Sequence, residues 1–288
     1  MIQSSDSRTY RQCAKEGCEA LTKAGICDEA ELQARQLMLY VCGMSPAEWL
    51  LKRDELISRE NRERYEQVIE ERCRRKPLQY ITGEQGFMGL LFHVGDGVLI
   101  PRQDTEHLAE EALKHCDGKR VLDMCTGSGC IAISVALLGH PLSVTAADIS
   151  EQALRIAADN GTRLGTDVTW VRSDMFSQVP GKFDLIVSNP PYIPPEQLAE
   201  LEPEVREFEP RAALYGGEDG LDFYRILVAE GQKHLTPRTE TENGGYMIVE
   251  IGFDQGHRVS ELFLNAGFRD VRVSKDYAGL DRVVMGHL

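Results

Sequence analysis

Four stretches of this sequence end in side chains suited to a polar, partly charged ligand: Asp123 to Gly129 ("DMCTGSG"), Asp148, the pair Asp174-Met175, and Asn189-Pro190-Pro191-Tyr192. In the last, two adjacent prolines fix φ twice and remove two backbone donors. Stiff carbonyl acceptors are left beside the carboxamide of Asn189 and the ring of Tyr192. That set suits a flat group that donates hydrogen bonds. In the first stretch, Gly127 and Gly129 let the backbone turn tightly and come close to a ligand at a helix N-terminus. Asp123, just before them, would repel a pyrophosphate but suits an ammonium and a sulfonium. Asp148 follows the glycines by about 20 residues, the spacing of a ribose-binding acid, and Asp174 can accept from an adenine amino group.

Each residue taken singly has a plainer reading. Asp123 and Asp148 can cap the helices that follow them, and Asp174 can be an ordinary turn residue. Gly127-Ser128-Gly129-Cys130-Ile131-Ala132 also fits the dinucleotide pattern, which makes a dehydrogenase the first competing reading. The elements that carry these residues decide between the readings. From Pro101 onward, strands are expected at Arg120–Cys125, Ser143–Asp148, Val168–Arg172, Phe183–Ser188, Gly245–Ile251, Arg269–Ser274 and Arg282–Leu288. Helices are expected near Ser128–Leu138, Ser150–Leu164, Leu221–Leu235 and Gln255–Ala266. This alternation implies an α/β domain, a mostly parallel sheet covered on both faces, with one of the last two strands antiparallel. All four polar stretches then fall at C-terminal strand ends, the edge where open α/β sheets bind ligands. Together they describe a pocket for S-adenosyl-L-methionine with an acceptor site beside it.

Before Pro77 the pattern is helical. Ala30, Ala34, Leu37, Met38 and Val41 share one helix face, with Asp28 expected as its N-cap and Gly43 as its stop. Ser45-Pro46 opens a short helix, and a charged helix follows over Ser58 to Arg75. The expected organisation is a helical domain over 1–76 for docking a substrate, a β-hairpin connector over 77–101, and a catalytic domain over 102–288. The basic run Arg72 to Lys76 ("RCRRK") reads as cations at a helix C-terminus facing water.

A net charge of −14 over 288 residues argues against a non-specific grip on nucleic acid. The amino-terminal stretch "MIQSSDSRTYRQ" lacks the apolar core of a signal peptide. The most apolar run, Cys130 to Gly139, is short of the roughly 20 residues that span a membrane. A cytoplasmic protein with no membrane partner is therefore expected. The eight cysteines and seven histidines show neither a C-x-x-C pair nor a ligand rhythm, so no metal is expected.

Asn-Pro-Pro-Tyr at the end of a fourth strand resembles the mark of methyltransferases that act on planar nitrogens, adenine amino groups or carboxamides. The wider motifs narrow this. "QYITGEQGFMGLLFHV", "IPRQDTE", "EVREFEPRAALYGGEDGLDFYR", "VEIGFDQG" and "KDYAGLDRVV" are similar to those of the peptide-chain release factor glutamine methyltransferases, from Pro77 to the C-terminus. The resemblance implies a class I S-adenosylmethionine-dependent methyltransferase, Rossmann-like, with a seven-stranded sheet whose last strand is antiparallel. It implies methylation of the glutamine in the Gly-Gly-Gln loop of a release factor, with S-adenosyl-L-homocysteine as product, and a helical domain that helps dock that protein.

By position, Asp123, Cys125, Thr126, Gly127, Ser128, Gly129, Asp148, Asp174, Met175 and Asn189 would hold the cofactor. Asn189, Pro190, Pro191 and Tyr192 would form the glutamine pocket, with Asn189, Pro190 and Tyr192 acting in catalysis. The chain departs from the family at Cys125, where glycine is usual, and at "PRQDTE", where "PRPETE" is commoner. Among rivals, an adenine-amino DNA methyltransferase shares the same four-residue loop. The glutamates after it (Glu196, Glu200, Glu202, Glu204, Glu207 and Glu209) would repel phosphate, or else form a solvated face. A partner-binding protein without turnover is the non-enzymatic alternative.

Overall fold

A computed structural model describes residues 7–239 and 243–288; the first six residues of the amino-terminal stretch considered above lie outside them. The chain divides into two compact units, one running to Gly83 and including Pro203–Phe208, the other made of Glu84–Glu202 and Glu209–Leu288.

The first unit contains α1 (Tyr10–Lys23), α2 (Ala30–Cys42), α3 (Pro46–Lys52), α4 (Arg59–Cys73) and α5 (Leu78–Thr82). Reciprocal capping boxes, Thr9 with Gln12 and Ser45 with Glu48, satisfy orphan amides at the starts of α1 and α3. The expected stripe of α2 is buried, and Gly43 ends that helix in the left-handed region at φ 59°. Asp28 is not its cap: α2 starts at Ala30, and Glu29 holds the N-cap position without a side-chain bond. The helical unit extends past Lys76 because the chain after Pro77 makes the further turn α5. The run "RCRRK" is not simply a solvated helix end. Arg72 is buried, and it and Arg75 each donate to a different oxygen of Glu204, at 2.7 Å in both cases.

The second unit begins with an antiparallel hairpin, β1 (Glu84–Phe87) and β2 (Leu90–His93), which takes up only part of the 77–101 span expected from sequence. It continues through α6 (Gln103–Leu113), β3 (Arg120–Met124), α7 (Cys130–Leu138), β4 (Ser143–Asp148), α8 (Glu151–Leu164), β5 (Val168–Arg172), β6 (Leu185–Ser188) and α9 (Pro195–Leu198). After α10 (Pro203–Phe208), which belongs to the first unit, come α11 (Asp222–His234), β7 (Tyr246–Glu250), α12 (Gly256–Asn265), β8 (Arg269–Lys275) and β9 (Asp281–His287). The helix α6 was not among the elements expected from sequence.

The seven-stranded sheet has the order β5-β4-β3-β6-β7-β9-β8. Strands β3 to β7 pair in parallel, and β9 runs antiparallel to both β7 and β8. Alternate residues feed two cores: Val121, Leu185, Val187, Ile248 and Val283 pack with α6 and α7, while Leu122, Ile186, Met247, Val249 and Val284 pack with α11 and α12. This is the layered, doubly wound architecture of class I S-adenosylmethionine-dependent methyltransferases. The strand order reverses between β3 and β6, the crevice where such sheets bind ligands. Ser188 Oγ stitches that point together by donating to the Met124 carbonyl at 2.7 Å. Among the described residues, no helix is long and apolar enough to cross a membrane, and no His/Cys/Asp/Glu group is arranged to hold a metal ion.

Candidate active site

A cavity of about 570 Å³ opens in the second unit at the C-terminal ends of β3, β4, β5 and β6. The size suits a nucleoside-sized ligand. Its wall includes Cys125, Thr126, Gly127, Ser128, Asp148, Asp174, Met175, Asn189 and Pro191, so four strand ends far apart in sequence meet at one place.

The glycine loop is held from below and from the side. Thr126 N donates to the Ala147 carbonyl at 3.1 Å, and Gly127 N donates to Asp148 Oδ2 at 2.9 Å. Gly127 has φ 55°, with nothing within 4 Å of the position a Cβ would take, and Gly129 has φ 80° against Ala157, Ile133 and Trp170. Glycine relieves the left-handed backbone at both positions and close packing at the second. Cys125 occupies the same region at φ 64° and Met175 at φ 46°, their sulfurs 4.0 Å apart. The left-handed backbone explains why glycine suits position 125, and why cysteine there carries strain of about 1–2 kcal/mol.

Asp148 accepts from Gly127 N and from Ser150 N, each at 2.9 Å, while Ser150 itself caps α8. Burial raises the Asp148 carboxyl above its usual range, against the pull of the Ser150, Gly127 and Ile149 amides. Lone pairs remain for a ribose. Asp174 is exposed in the wall, and Met175 beside it is buried.

Asp123 departs from its expected place: it is fully buried beneath the loop and outside the cavity wall. Its Oδ2 accepts from Thr126 Oγ1 at 2.5 Å and from Ala132 N, in the first turn of α7, at 3.1 Å. It therefore acts as a helix anchor, the plainer of the two sequence readings. Its Oδ1 is buried with no partner, and burial pushes the carboxyl up to about 7.

On the acceptor side, Asn189 Nδ2 donates to Thr105 Oγ1 at 3.2 Å, which leaves Oδ1 as the free end of the carboxamide. Pro190 is buried behind the wall that Pro191 lines. Tyr192 is outside that wall and tied at both ends: its hydroxyl donates to Glu250 Oε1 at 3.3 Å, and its carbonyl accepts from Gln255 Nε2 at 3.0 Å. Gly216 packs against this backbone so closely that a Cβ would sit 2.5 Å from Tyr192 Cα. Of the acidic loop, Glu209 is buried, with Arg102 donating to it, and is not part of a solvated face.

Sequence reasoning missed Thr105, Glu250, Gln255 and Asn160. Asn160 is fully buried; it accepts from His93 N at 2.7 Å and donates to the carbonyls of His93 and Ser128 at 2.9 and 3.0 Å. The glycines of "YGGEDG" were a usable signal of close backbone approach. Thr105 lies in the motif "IPRQDTE" and Glu250 and Gln255 in "VEIGFDQG", which mark these positions without showing what they touch, and nothing in the local sequence marked Asn160.

These residues fit S-adenosyl-L-methionine. There is open space over Gly127, a carboxylate with spare lone pairs at Asp148 and an exposed carboxylate at Asp174.

Residues 12–83 match the family model described as the PrmC N-terminal domain, and residues 103–201 match the Methyltransferase small domain. The chain is 40% identical over 270 residues, 93% of each chain, to the release factor glutamine methyltransferase of Geobacter sulfurreducens. It is 40% identical over 286 residues to that of Moorella thermoacetica, covering 97% of this chain and 98% of the relative. Among solved structures, a methyltransferase from Pyrococcus furiosus is similar in fold, with a TM-score of 0.54 and 20% identity over 69% of this chain and 89% of that one.

Proposed function

Since the chain belongs to the release factor glutamine methyltransferase family, we propose that it methylates the side-chain amide nitrogen of the glutamine in the Gly-Gly-Gln loop of peptide-chain release factors. The observation that carries this reading is the Asn189 carboxamide at the cavity wall, its amino end engaged by Thr105 and its oxygen end left for a donor.

A carboxamide nitrogen is a weak nucleophile because its lone pair is delocalised into the carbonyl. Asn189 Oδ1 and the Pro190 carbonyl each accept one N–H of the substrate amide. That turns the lone pair toward the cavity and stabilises positive charge as it develops on nitrogen. Tyr192, fixed through Glu250 and Gln255, gives a rigid ring beside Asn189 for the planar amide to pack on. Bound in the cavity, S-adenosyl-L-methionine would supply an electrophilic methyl group and leave as S-adenosyl-L-homocysteine when the carbon–sulfur bond breaks, and the methylated nitrogen would shed one N–H proton to solvent. Gly127 and the loop from Cys125 to Gly129, with Asp148, Asp174 and Met175, hold it, while Asp123 braces the loop from beneath.

The helical unit serves to dock the protein substrate. Tyr40, Leu50, Leu51 and Leu56 are exposed on it, apolar surface of the kind protein partners bury. The charge of −14 disfavours direct nucleic-acid binding. Eight free thiols suit the cytoplasm, where translation factors act.

The test is mass spectrometry of the Gly-Gly-Gln peptide after the protein, a release factor and S-adenosyl-L-methionine are incubated together, with duplex DNA as a parallel acceptor. One methyl on the glutamine side chain is the expected result. An unmodified glutamine, or transfer to DNA instead, overturns the reading.

A further inference from the structure

Glu250, at the end of β7, is a buried carboxylate that does more than hold the Tyr192 hydroxyl. Its Oε1 accepts from the Tyr192 hydroxyl at 3.3 Å, its Oε2 is buried without a partner, and the Thr105 hydroxyl favours the charged form of the carboxylate. Thr105 Oγ1 in turn meets Asn189 Nδ2 at 3.2 Å. A threonine hydroxyl can give or take a hydrogen bond, so Thr105 alone does not decide which end of the Asn189 carboxamide turns to it. A carboxylate only accepts, and does decide.

We propose that ionised Glu250 takes the Thr105 hydroxyl proton, obliges Thr105 to accept from Asn189 Nδ2, and so presents Asn189 Oδ1 to the amide being methylated. Thr105 and Glu250 are thus positioning residues for the acceptor site. The proposal rests on the reading of Asn189 as acceptor for the substrate amide. If Glu250 is protonated, the relay can reverse. Its O–H then gives to Thr105, Thr105 gives to Asn189 Oδ1, and the amino group of Asn189 faces the N–H donors of the substrate, a donor-to-donor clash.

The groups facing Glu250 are Thr105 and Asp104 from α6, Tyr192 from the loop after β6, Arg282 from β9 with its partner Asp276, Tyr224 from α11 and Cys130 from α7. Burial pushes Glu250 up to about 7, opposed by Thr105, Arg282 and Tyr192. Burial raises Tyr192 and Tyr224 too, and pushes Cys130 up to about 12, so none of these titrates between pH 6 and 9. Asp123 is pushed to the same region, so the test depends on removing Glu250's contribution.

Methyl transfer to a release factor is measured from pH 6 to 9 for the parent, Thr105→Val, Thr105→Ser and Glu250→Gln, together with cofactor binding by calorimetry. Thr105→Val is expected to lower kcat roughly 10- to 100-fold with KM for the release factor and cofactor affinity little changed. Thr105→Ser should restore most of the rate. Parent activity should fall as pH drops through about 7, and Glu250→Gln should lose that limb. A Thr105→Val enzyme as fast as the parent overturns the proposal even if Glu250→Gln does not fold, as does a limb unchanged in a folded Glu250→Gln. If the parent itself leaves release factor unmethylated, it is the function that is wrong and not the relay.

Discussion

The two sides of the cavity are built from different materials. The loops after β3 and β4 are organised by backbone groups: Asp148 takes the amides of Gly127 and Ser150, and Asp123 takes that of Ala132. The acceptor side, after β6 and β7, is organised by side chains acting on one another, through Asn189, Thr105, Glu250 and Tyr192. Backbone amides sit wherever the chain goes and survive most substitutions. A side-chain relay fails with the loss of any one member. The contrast suggests that tolerance is spent on holding the cofactor and specificity on orienting the amide.

The strongest way to break this comparison is Asn189→Ala. Removing a pre-organised acceptor should lower kcat on the order of 100- to 1,000-fold, with a smaller change in cofactor affinity by calorimetry. If both fall together, the two sides are not separable.

The second test concerns stability. Burial raises Glu250 from 4.5 to about 7, so the folded state binds its proton more tightly than the unfolded chain. The parent should therefore lose stability as pH rises from about 4.5 toward 7, by at most about 3 kcal/mol from this group. Glu250→Gln has no such proton. Its Tm relative to the parent should climb between pH 5 and 8, and a gap that stays constant would refute the assigned shift.

On the other side of the cavity, Asp148→Asn should weaken cofactor binding roughly 10- to 100-fold while leaving kcat at saturation nearly intact, the loss of a charged hydrogen bond to the ligand. The smallest expected effect is at Cys125. Glycine relieves the left-handed backbone there, and Cys125→Gly should gain about 1 kcal/mol in urea unfolding, less the added freedom of the unfolded chain. A loss instead would mean that the sulfur contact with Met175 outweighs the strain.

The same contrast governs what could be read from sequence. Glycines before a helix, acids at strand ends and the Asn-Pro-Pro-Tyr turn are local patterns, and the mostly parallel sheet follows from the βα alternation. The Asn189–Thr105 and Tyr192–Glu250 contacts join residues 84 and 58 positions apart, so no short window of sequence contains them. Thr105 and Glu250 lie in the motifs "IPRQDTE" and "VEIGFDQG", which mark the positions but not the partners that meet there. Asp123 went the other way: its strand-end position suggested a ligand contact, but its Oδ2 is held by Thr126 and Ala132 below the loop. Arg72 at the end of α4 and Arg75 just beyond it looked solvated because their partner, Glu204, follows them by more than a hundred residues.

Asn160 has one consequence for how the molecule moves. Its carboxamide is saturated by three hydrogen bonds, two to His93 in the hairpin and one to Ser128 in the glycine loop. The hairpin therefore cannot swing away while the loop stays put. The two should breathe as one cooperative piece, exchanging their amide protons at a common rate although they lie on separate stretches of chain.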